Sequence, residues 1–307
     1  MTNKATENRS CCGSQESSEQ VITGSDQEKA RREIRNNYSN IAKGKSIELT
    51  EEELEAKETM EKSSPLYSKE ELDSIPKDAN LGLGSGNPVS LADIQLGETV
   101  IDLGSGAGVD CFLAANKVGD TGKVIGVDMT SNMIDLARVN AYKENYKNVE
   151  FRLGEIEHLP IADKTADVIL SNCVINLASS KEQVFNEALR VLKPGGRLII
   201  SDIMFAHELP DKVKGAFKGM SGCVSRAVIK EDYLEIIQKA GFTDVEIIDQ
   251  YTIRPQKRKE ADKKSKEASK ITLASDGNKV ELELSEDEMK QMDTAIISAH
   301  VRAIKSL

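Results

Sequence analysis

The first residues with chemistry to offer are an aspartate and three glycines that follow a short apolar run. The run ends at Asp102, and glycines stand at alternate positions after it, at Gly104, Gly106 and Gly108. An apolar run of this kind predicts a buried parallel strand, and the glycines predict a tight turn on which a ligand can lie against the backbone. A helix is expected to begin there, with its first N–H groups facing the same site.

The spacing of the glycines discriminates between ligands. A dinucleotide site has the pattern G-x-G-x-x-G and seats a pyrophosphate on the helix N-terminus, whereas this chain has G-x-G-x-G. Asp102 at the strand end would repel a pyrophosphate and attract an ammonium group. A ligand that carries an amino acid at one end and a nucleoside at the other is S-adenosylmethionine, which we predict as the cofactor.

Two further segments fit the same ligand. A second apolar run ends at Asp128, about 20 residues after the last glycine, where a ribose diol is held in such sheets, and Met129 is placed to pack on adenine. After a third run, the backbone N–H of Ile156 and the carboxylate of Glu157 or Glu155 are candidates to pair with the adenine edge. The order of the three segments resembles that of the class I S-adenosylmethionine-dependent methyltransferases.

Composition restricts the class of protein. The chain has 307 residues, a formal net charge of −10 and no tryptophan. The acidic balance argues against a nucleic-acid partner, because phosphate contacts need a basic face. No apolar run approaches the roughly 18 residues of a membrane helix, so we expect no membrane association and a cytoplasmic location. Cys11 and Cys12 form an adjacent pair whose thiolates would suit a soft metal or metalloid.

Cysteines also occur where chemistry is expected. Cys173 and its neighbour Asn172 stand at the predicted end of the fourth strand, an edge at which such sheets carry their ligands, and we place Asn172 in the cofactor site. Cys223 lies in an insertion after the fifth strand, and such insertions commonly cover the substrate. Cys111 falls on the apolar face of a helix, where a packing role is expected. The odd total of five cysteines favours thiols over a disulfide framework.

Strands and helices alternate from residue 99 to residue 205, which predicts an α/β fold with a doubly wound, Rossmann-like sheet and a smaller α+β domain at its C-terminal end. The composition changes along the chain, and it predicts four parts. They are a flexible tail with the cysteine pair at 1–26, a helical arm at 27–80, an S-adenosylmethionine-binding domain at 81–205 and a substrate-covering domain at 206–307.

More specific motifs add a family resemblance. The chain resembles the arsenite S-adenosylmethionine methyltransferases in the glycine-rich loop 81–88, in Asp-Met-Thr at 128–130, in Asn-Cys-Val-Ile-Asn-Leu at 172–177 and in the Gly-Cys pair at 222–223. The resemblance implies a class I methyltransferase sheet and methylation of trivalent arsenic for detoxification. It also implies Cys173 and Cys223 as the As(III) ligands and a thiol reductant such as thioredoxin or glutathione as a partner.

One departure from the family pattern bears on the substrate. The family has cysteine where this chain has Ser85, and often another in the region of residues 43–46, where this chain has none. A serine hydroxyl is a hard and poor arsenic ligand, so the site should favour arsenic species that need only two protein thiolates. Cys11 or Cys12 could supply a third ligand at the cost of ordering the tail.

Two other functions fit the sequence. The chain could methylate carbon or oxygen on a small organic molecule such as a quinone precursor, with Cys173 and Cys223 lining the cavity. It could also be a non-catalytic protein that binds a metalloid through its thiols. Methyl transfer from the cofactor to arsenic or to an organic acceptor separates these alternatives.

Overall fold

A computed structural model of the chain describes residues 24–44, 66–217, 222–253, 269–275 and 278–307. Its centre is a seven-stranded sheet of order β3-β2-β1-β4-β5-β9-β6, and β7 and β8 pair in a separate two-stranded sheet. The strands are β1 Thr99–Leu103, β2 Lys123–Asp128, β3 Val149–Leu153, β4 Ala166–Asn172, β5 Leu192–Phe205, β6 Phe242–Thr252, β7 Ser269–Ser275, β8 Asn278–Leu284 and β9 Ile296–Lys305.

Helices cover both faces of this sheet. Those in the described residues are α1 Gly24–Ala42, α2 Lys69–Asp73, α3 Pro88–Leu91, α4 Val109–Val118, α5 Ser131–Lys143, α6 Lys181–Val191, α7 Asp211–Phe217, α8 Lys230–Lys239 and α9 Glu286–Ala295. In the part of the chain that the structure describes, no helix is long and apolar enough to cross a membrane.

The sheet is parallel from β3 to β5 and antiparallel beyond it. β1 pairs in parallel with β2 and β4, whereas β9 pairs antiparallel with both β5 and β6. Because all five parallel strands run the same way, their carboxyl ends lie along one edge, where open α/β sheets bind their ligands. The predicted doubly wound α/β class is confirmed.

Apolar side chains alternate between the two faces of the central strands. Val168 and Leu170 of β4 pack into one core cluster, and Ile169 between them packs into the other. Burial on both faces accounts for the continuous apolar runs in the sequence. A third cluster, which includes Phe205 and Phe217, lies between the end of β5, α7 and α9, and Cys173 and Cys223 pack against it.

The predicted boundary between residues 205 and 206 falls within the sheet, because β6 and β9 follow it in the chain and extend the sheet beyond β5. The division into domains stays a prediction, and the tail at 1–23 and part of the helical arm at 45–65 lie outside the described residues.

Candidate functional site

A cavity of about 290 Å³ opens at the carboxyl ends of β1, β2 and β4, near the lower end of the volumes of ligand pockets. Most of the predicted cofactor residues line it, together with one of the two predicted arsenic ligands. The predicted residues in its wall are Asp102, Gly104, Gly106, Asp128, Met129, Ile156, Glu157, Asn172 and Cys173.

The glycines of the turn serve different purposes. Gly106 has a φ of +51°, and a Cβ added to it would meet nothing within 4 Å, so its bare backbone faces the open cavity. Gly108 does not line the cavity, and a Cβ there would lie 2.7 Å from the ring of Phe112 and 2.9 Å from that of Phe151. The contacts with these rings give Gly108 a packing reason to lack a side chain, and its predicted contact with the cofactor stays a prediction.

Carboxylates dominate the electrostatics of the cavity wall. Burial raises the pKa of Asp102 well above its usual value, and the neighbouring charge of Asp110 raises it further. Burial also raises the pKa of Asp110, to about 6, and that of Asp128. Desolvated carboxylates that repel one another are stabilised by a cation placed among them. The wall therefore suits a ligand with a positively charged group.

Asp128 is already oriented by backbone donors. The N–H of Gly106 donates to its Oδ2 over 3.0 Å, and the N–H of Thr130 donates to its Oδ1 over 2.8 Å. These bonds fix the carboxylate at the end of β2 beside the glycine turn. A carboxylate held in this way can accept hydrogen bonds from a ribose diol.

The residues after β3 form an ion-pair cluster with α1. Glu157 Oε1 accepts from the N–H of Ser179 over 2.8 Å and from Arg31 Nη2 over 3.1 Å. Arg31 Nη1 lies 3.1 Å from Glu155 Oε2. Both carboxylates that were candidates for the adenine edge are therefore bound by the protein itself, and Glu157 lines the cavity together with Ile156.

Helix α1 forms part of the cavity wall. Its side chains Arg31, Ile34 and Tyr38 line the cavity, and Ile34 is 2 % exposed. The guanidinium of Arg31 bridges two glutamates that lie 124 and 126 positions further along the chain. No local pattern marks such a contact.

Cys173 and Cys223 come together at the edge of the cavity. Cys173 follows β4 with a φ of +56°, and its N–H donates to the carbonyl of Ser201 over 2.8 Å. The Sγ of Cys223 donates to the carbonyl of Cys173 over 3.1 Å, and both residues are half-buried. Cys173 lines the cavity, and Cys223 is not among the residues of its wall. The thiol of Cys223, from a separate segment, therefore contacts the backbone of Cys173.

The other cysteines differ from this pair. Cys111 is fully buried, its thiol donates to Asp102 over 3.2 Å, and burial raises its pKa well above the usual value, which fits a packing role. Cys11 and Cys12 lie outside the described residues. Within residues 24–44, 66–217, 222–253, 269–275 and 278–307, no three His, Cys, Asp or Glu side chains are arranged to hold a metal ion.

Ser85 lies next to the backbone of Cys173 and is fully buried. Its Oγ donates to the carbonyl of Ser201 over 3.1 Å, the same oxygen that accepts from the N–H of Cys173. The shared acceptor places the side chain at position 85 next to the backbone of Cys173. In the sequence, position 85 is singled out only by the family resemblance. Ser85 and Cys173 lie far apart in the chain and come together only in the folded protein.

Residues 94–241 match the model of a methyltransferase domain family. The arsenite methyltransferase of Halobacterium salinarum is 51% identical over 181 residues, which cover 59% of this chain and 46% of that protein. The arsenite methyltransferase of Mus musculus is 34% identical over 231 residues, covering 71% of this chain and 59% of that one. The chain thus spans about half the length of the curated relatives it matches.

A solved structure gives the same result. The arsenic (III) S-adenosylmethionine methyltransferase from Chlamydomonas reinhardtii is 27% identical, with a TM-score of 0.55, and the match covers 82% of this chain and 73% of that one. Over the matched regions the chain is similar to arsenite methyltransferases, and its residues 94–241 match a methyltransferase domain.

Proposed function

We propose that this chain transfers a methyl group from S-adenosylmethionine to trivalent arsenic bound by Cys173 and Cys223. The observation that carries the proposal is the contact between these two cysteines, from separate segments, at the edge of an acidic cavity. Thiolates are soft ligands and suit a soft metalloid. The relatives named arsenite methyltransferases support the same substrate.

The cavity wall offers each part of the cofactor a matching group. Asp102 carries the negative charge that an ammonium group needs, and Asp128 offers oxygens to a ribose diol. Gly106 presents bare backbone, and Met129 and Ile156 offer apolar surface and a backbone N–H to the base. When bound, S-adenosylmethionine supplies an electrophilic methyl group on a sulfonium.

The protein contributes orientation and exclusion of water. Cys173 and Cys223 hold the arsenic so that its lone pair points into the cavity, and no proton needs to be removed from the lone pair. Cys173 and Cys223 would present the arsenic lone pair to the methyl group that the bound cofactor would supply, and the cofactor sulfur would keep the electron pair of the broken S–C bond. Holding both reactants in place accounts for most of the acceleration of such a step.

The arsenic is formally pentavalent after the transfer, so a reductant must restore the trivalent state. We expect a thiol reductant of the thioredoxin or glutathione class, because two electrons and thiol ligands are needed together. The site cysteines must also stay reduced to bind arsenic, which favours a reducing compartment such as the cytoplasm.

The test is transfer of a labelled methyl group to arsenite, to methylarsenite and to an organic extract. Cys173→Ser and Cys223→Ser should each lower transfer to arsenic about 100-fold or more, because a hydroxyl replaces a soft ligand. Cofactor affinity, measured by titration calorimetry, should change less than about twofold, since neither thiol is needed to hold the cofactor. The double variant Cys11→Ser, Cys12→Ser tests whether the tail adds a third ligand.

Each outcome has a definite meaning. Full activity on arsenic in Cys173→Ser contradicts its role as a ligand. Transfer to an organic compound alone identifies a carbon or oxygen methyltransferase, and arsenic binding without any transfer identifies a metalloid-binding protein. X-ray absorption of the arsenic complex should count two sulfur neighbours, or three if a tail thiol takes part.

A further inference from the structure

Four separate segments of the chain meet at the side chain of Asn172. Its Oδ1 accepts from the N–H of Ser85 over 2.9 Å, and its Nδ2 lies 2.8 Å from the carbonyl oxygen of Gly86. The same Nδ2 lies 3.0 Å from the hydroxyl of Tyr67 and 3.1 Å from Oδ2 of Asp110. One amide therefore joins the end of β4 to the glycine-rich loop, to the segment before α2 and to the first turn of α4.

The neighbours of this amide fix its orientation. The backbone N–H of Ser85 requires an acceptor, so Oδ1 must face the loop, and Nδ2 is left to donate on its other side. Tyr67 donates its hydroxyl proton to Oδ1 of Asp110 over 2.9 Å, and this bond holds the carboxylate in place to accept from Nδ2. The amide is thus held from both sides, by the loop and by the Tyr67–Asp110 pair.

The loop fits on the amide because of its glycine. A Cβ added to Gly84 would lie 2.9 Å from Asn172 Nδ2 and 3.0 Å from its Oδ1, and the φ of Gly84 is +112°. Leu81, Gly82, Leu83 and Gly84 line the cavity, and Cys173 is the next residue after Asn172. The amide therefore fixes the distance between the loop and the cysteine.

We propose that Asn172 is a positioning residue for methyl transfer, which holds the loop 84–86 and Cys173 in one fixed arrangement beside the cavity. This inference rests on the function proposed above. It also gives Asn172 a different task from binding the cofactor, because its oxygen and nitrogen are both engaged by protein groups. A displacement of about 1 Å in a reacting group can cost a factor of about 100 in rate.

The experiment compares Asn172→Ala with a matched control, Asn148→Ala. Asn148 also uses its amide to hold backbone, with Nδ2 donating to the carbonyls of Ala115 and Gly119 at 3.1 Å each. It stands just before β3, at the opposite edge of the sheet from the cavity. Both variants lose hydrogen bonds to backbone, and only one of them lies beside the site.

Three quantities are measured for each variant: cofactor affinity by calorimetry, kcat with methylarsenite, and hydrogen exchange of the segment 84–86. In Asn172→Ala, kcat should fall about 10- to 100-fold, exchange should accelerate, and cofactor Kd should change less than about threefold. In Asn148→Ala, kcat should stay within about twofold of the wild type even when Tm falls equally. Tyr67→Phe should give a smaller fall in kcat, because the amide keeps its bonds to the loop.

Other results overturn the proposal. Equal losses of kcat in the two variants would assign Asn172 a purely structural role. A large rise in cofactor Kd with kcat preserved would make it a cofactor ligand. If the wild-type chain methylates no arsenic compound, the proposed function fails and the catalytic role of Asn172 fails with it. Unchanged hydrogen exchange at 84–86 in Asn172→Ala refutes the proposal that Asn172 holds this loop, whichever compound accepts the methyl group.

Discussion

The substitution Arg31→Met tests whether α1 completes the cofactor cavity. Arg31 links this helix to the body of the site through two ion pairs, because it lies 3.1 Å from both Glu155 and Glu157. The side chain of Glu157 is 7% exposed and that of Glu155 is 31% exposed. Methionine retains most of the apolar stem of arginine and removes only the guanidinium.

The two ion pairs differ in expected strength. Exposed pairs contribute between 0 and about 1 kcal/mol, whereas hydrogen bonds to charged groups contribute roughly 1.5–3 kcal/mol when they are protected from water. Glu157 is nearly buried but keeps its bond from Ser179 after the substitution. We therefore expect Arg31→Met to weaken the docking of α1 by about 1–2 kcal/mol.

Docking of α1 is coupled to the cofactor because Ile34 and Tyr38 of the same helix line the cavity. A loss of about 1–2 kcal/mol corresponds to a rise in cofactor Kd of roughly 5- to 30-fold. Titration calorimetry measures this change, and Arg32→Met is the control, because Arg32 is the next residue and is exposed. The difference between Arg31→Met and the wild type should shrink at 1 M salt, where exposed pairs are screened.

Equal cofactor affinity in Arg31→Met and the wild type would refute this reasoning. It would mean that α1 stays docked through its apolar contacts alone. A similar loss in Arg32→Met would also refute it, since the effect would then belong to the charge of the helix and not to the two ion pairs.

Three more substitutions have definite expected outcomes. Burial raises the pKa of Asp202 to about 6, so the folded chain binds a proton at this carboxylate more tightly than the unfolded chain does. The free energy of unfolding therefore falls by roughly 3 kcal/mol as the pH rises from about 4 to about 6. Asp202→Asn should remove that loss and raise Tm at pH 7.5 relative to the wild type. The prediction is contradicted if Tm changes equally in the two proteins between pH 4.5 and pH 7.5. Gly106→Ala should raise cofactor Kd about tenfold or more, since a methyl group would enter the cavity. The control is Gly97→Ala: Gly97 has a φ of +84°, and an added Cβ would make only one ordinary contact, so this variant should lower stability without changing Kd. Ser85→Cys should raise the rate with arsenite relative to methylarsenite, because it adds a soft thiolate ligand. It should also lower stability by about 1 kcal/mol, because a thiol is a weaker donor to the carbonyl of Ser201. An equal ratio of the two rates in the variant and the wild type would contradict the first expectation.

The sheet and its ligand edge were predictable because they follow from local patterns. Apolar runs that end in a carboxylate gave β1 and β2, and the alternation of strands and helices gave the doubly wound class. The antiparallel insertion of β9 between β5 and β6 leaves no local mark, because it depends on pairing between segments about 100 residues apart. The short helix α7 and the helix α9 were not predicted, although Ser285 and Glu288 of α9 form a capping box.

The site residues that could be predicted are those whose position follows from the strand that they end or follow. Asp102, Gly106 and Cys173 belong to this group, because each stands at the end of a strand and the carboxyl edge of the sheet brings those ends together. Arg31 does not, because its role depends on carboxylates that come from another segment. The contacts that Gly108 makes with the rings of Phe112 and Phe151 are likewise not marked by the spacing of the glycines.

One carbonyl oxygen, that of Ser201 near the end of β5, joins the parts of the proposed arsenic site. It accepts from the N–H of Cys173 and from the Oγ of Ser85, while the Oγ of Ser201 is 2.6 Å from Nδ1 of His300 in β9. Burial lowers the pKa of His300, so the ring stays neutral and one nitrogen can accept. Strand β9 therefore contacts the proposed arsenic site through Ser201, although none of its residues lines the cavity. A substitution in β9 should act on methyl transfer through the placement of Cys173, and it should leave the cofactor contacts at β1 and β2 unchanged.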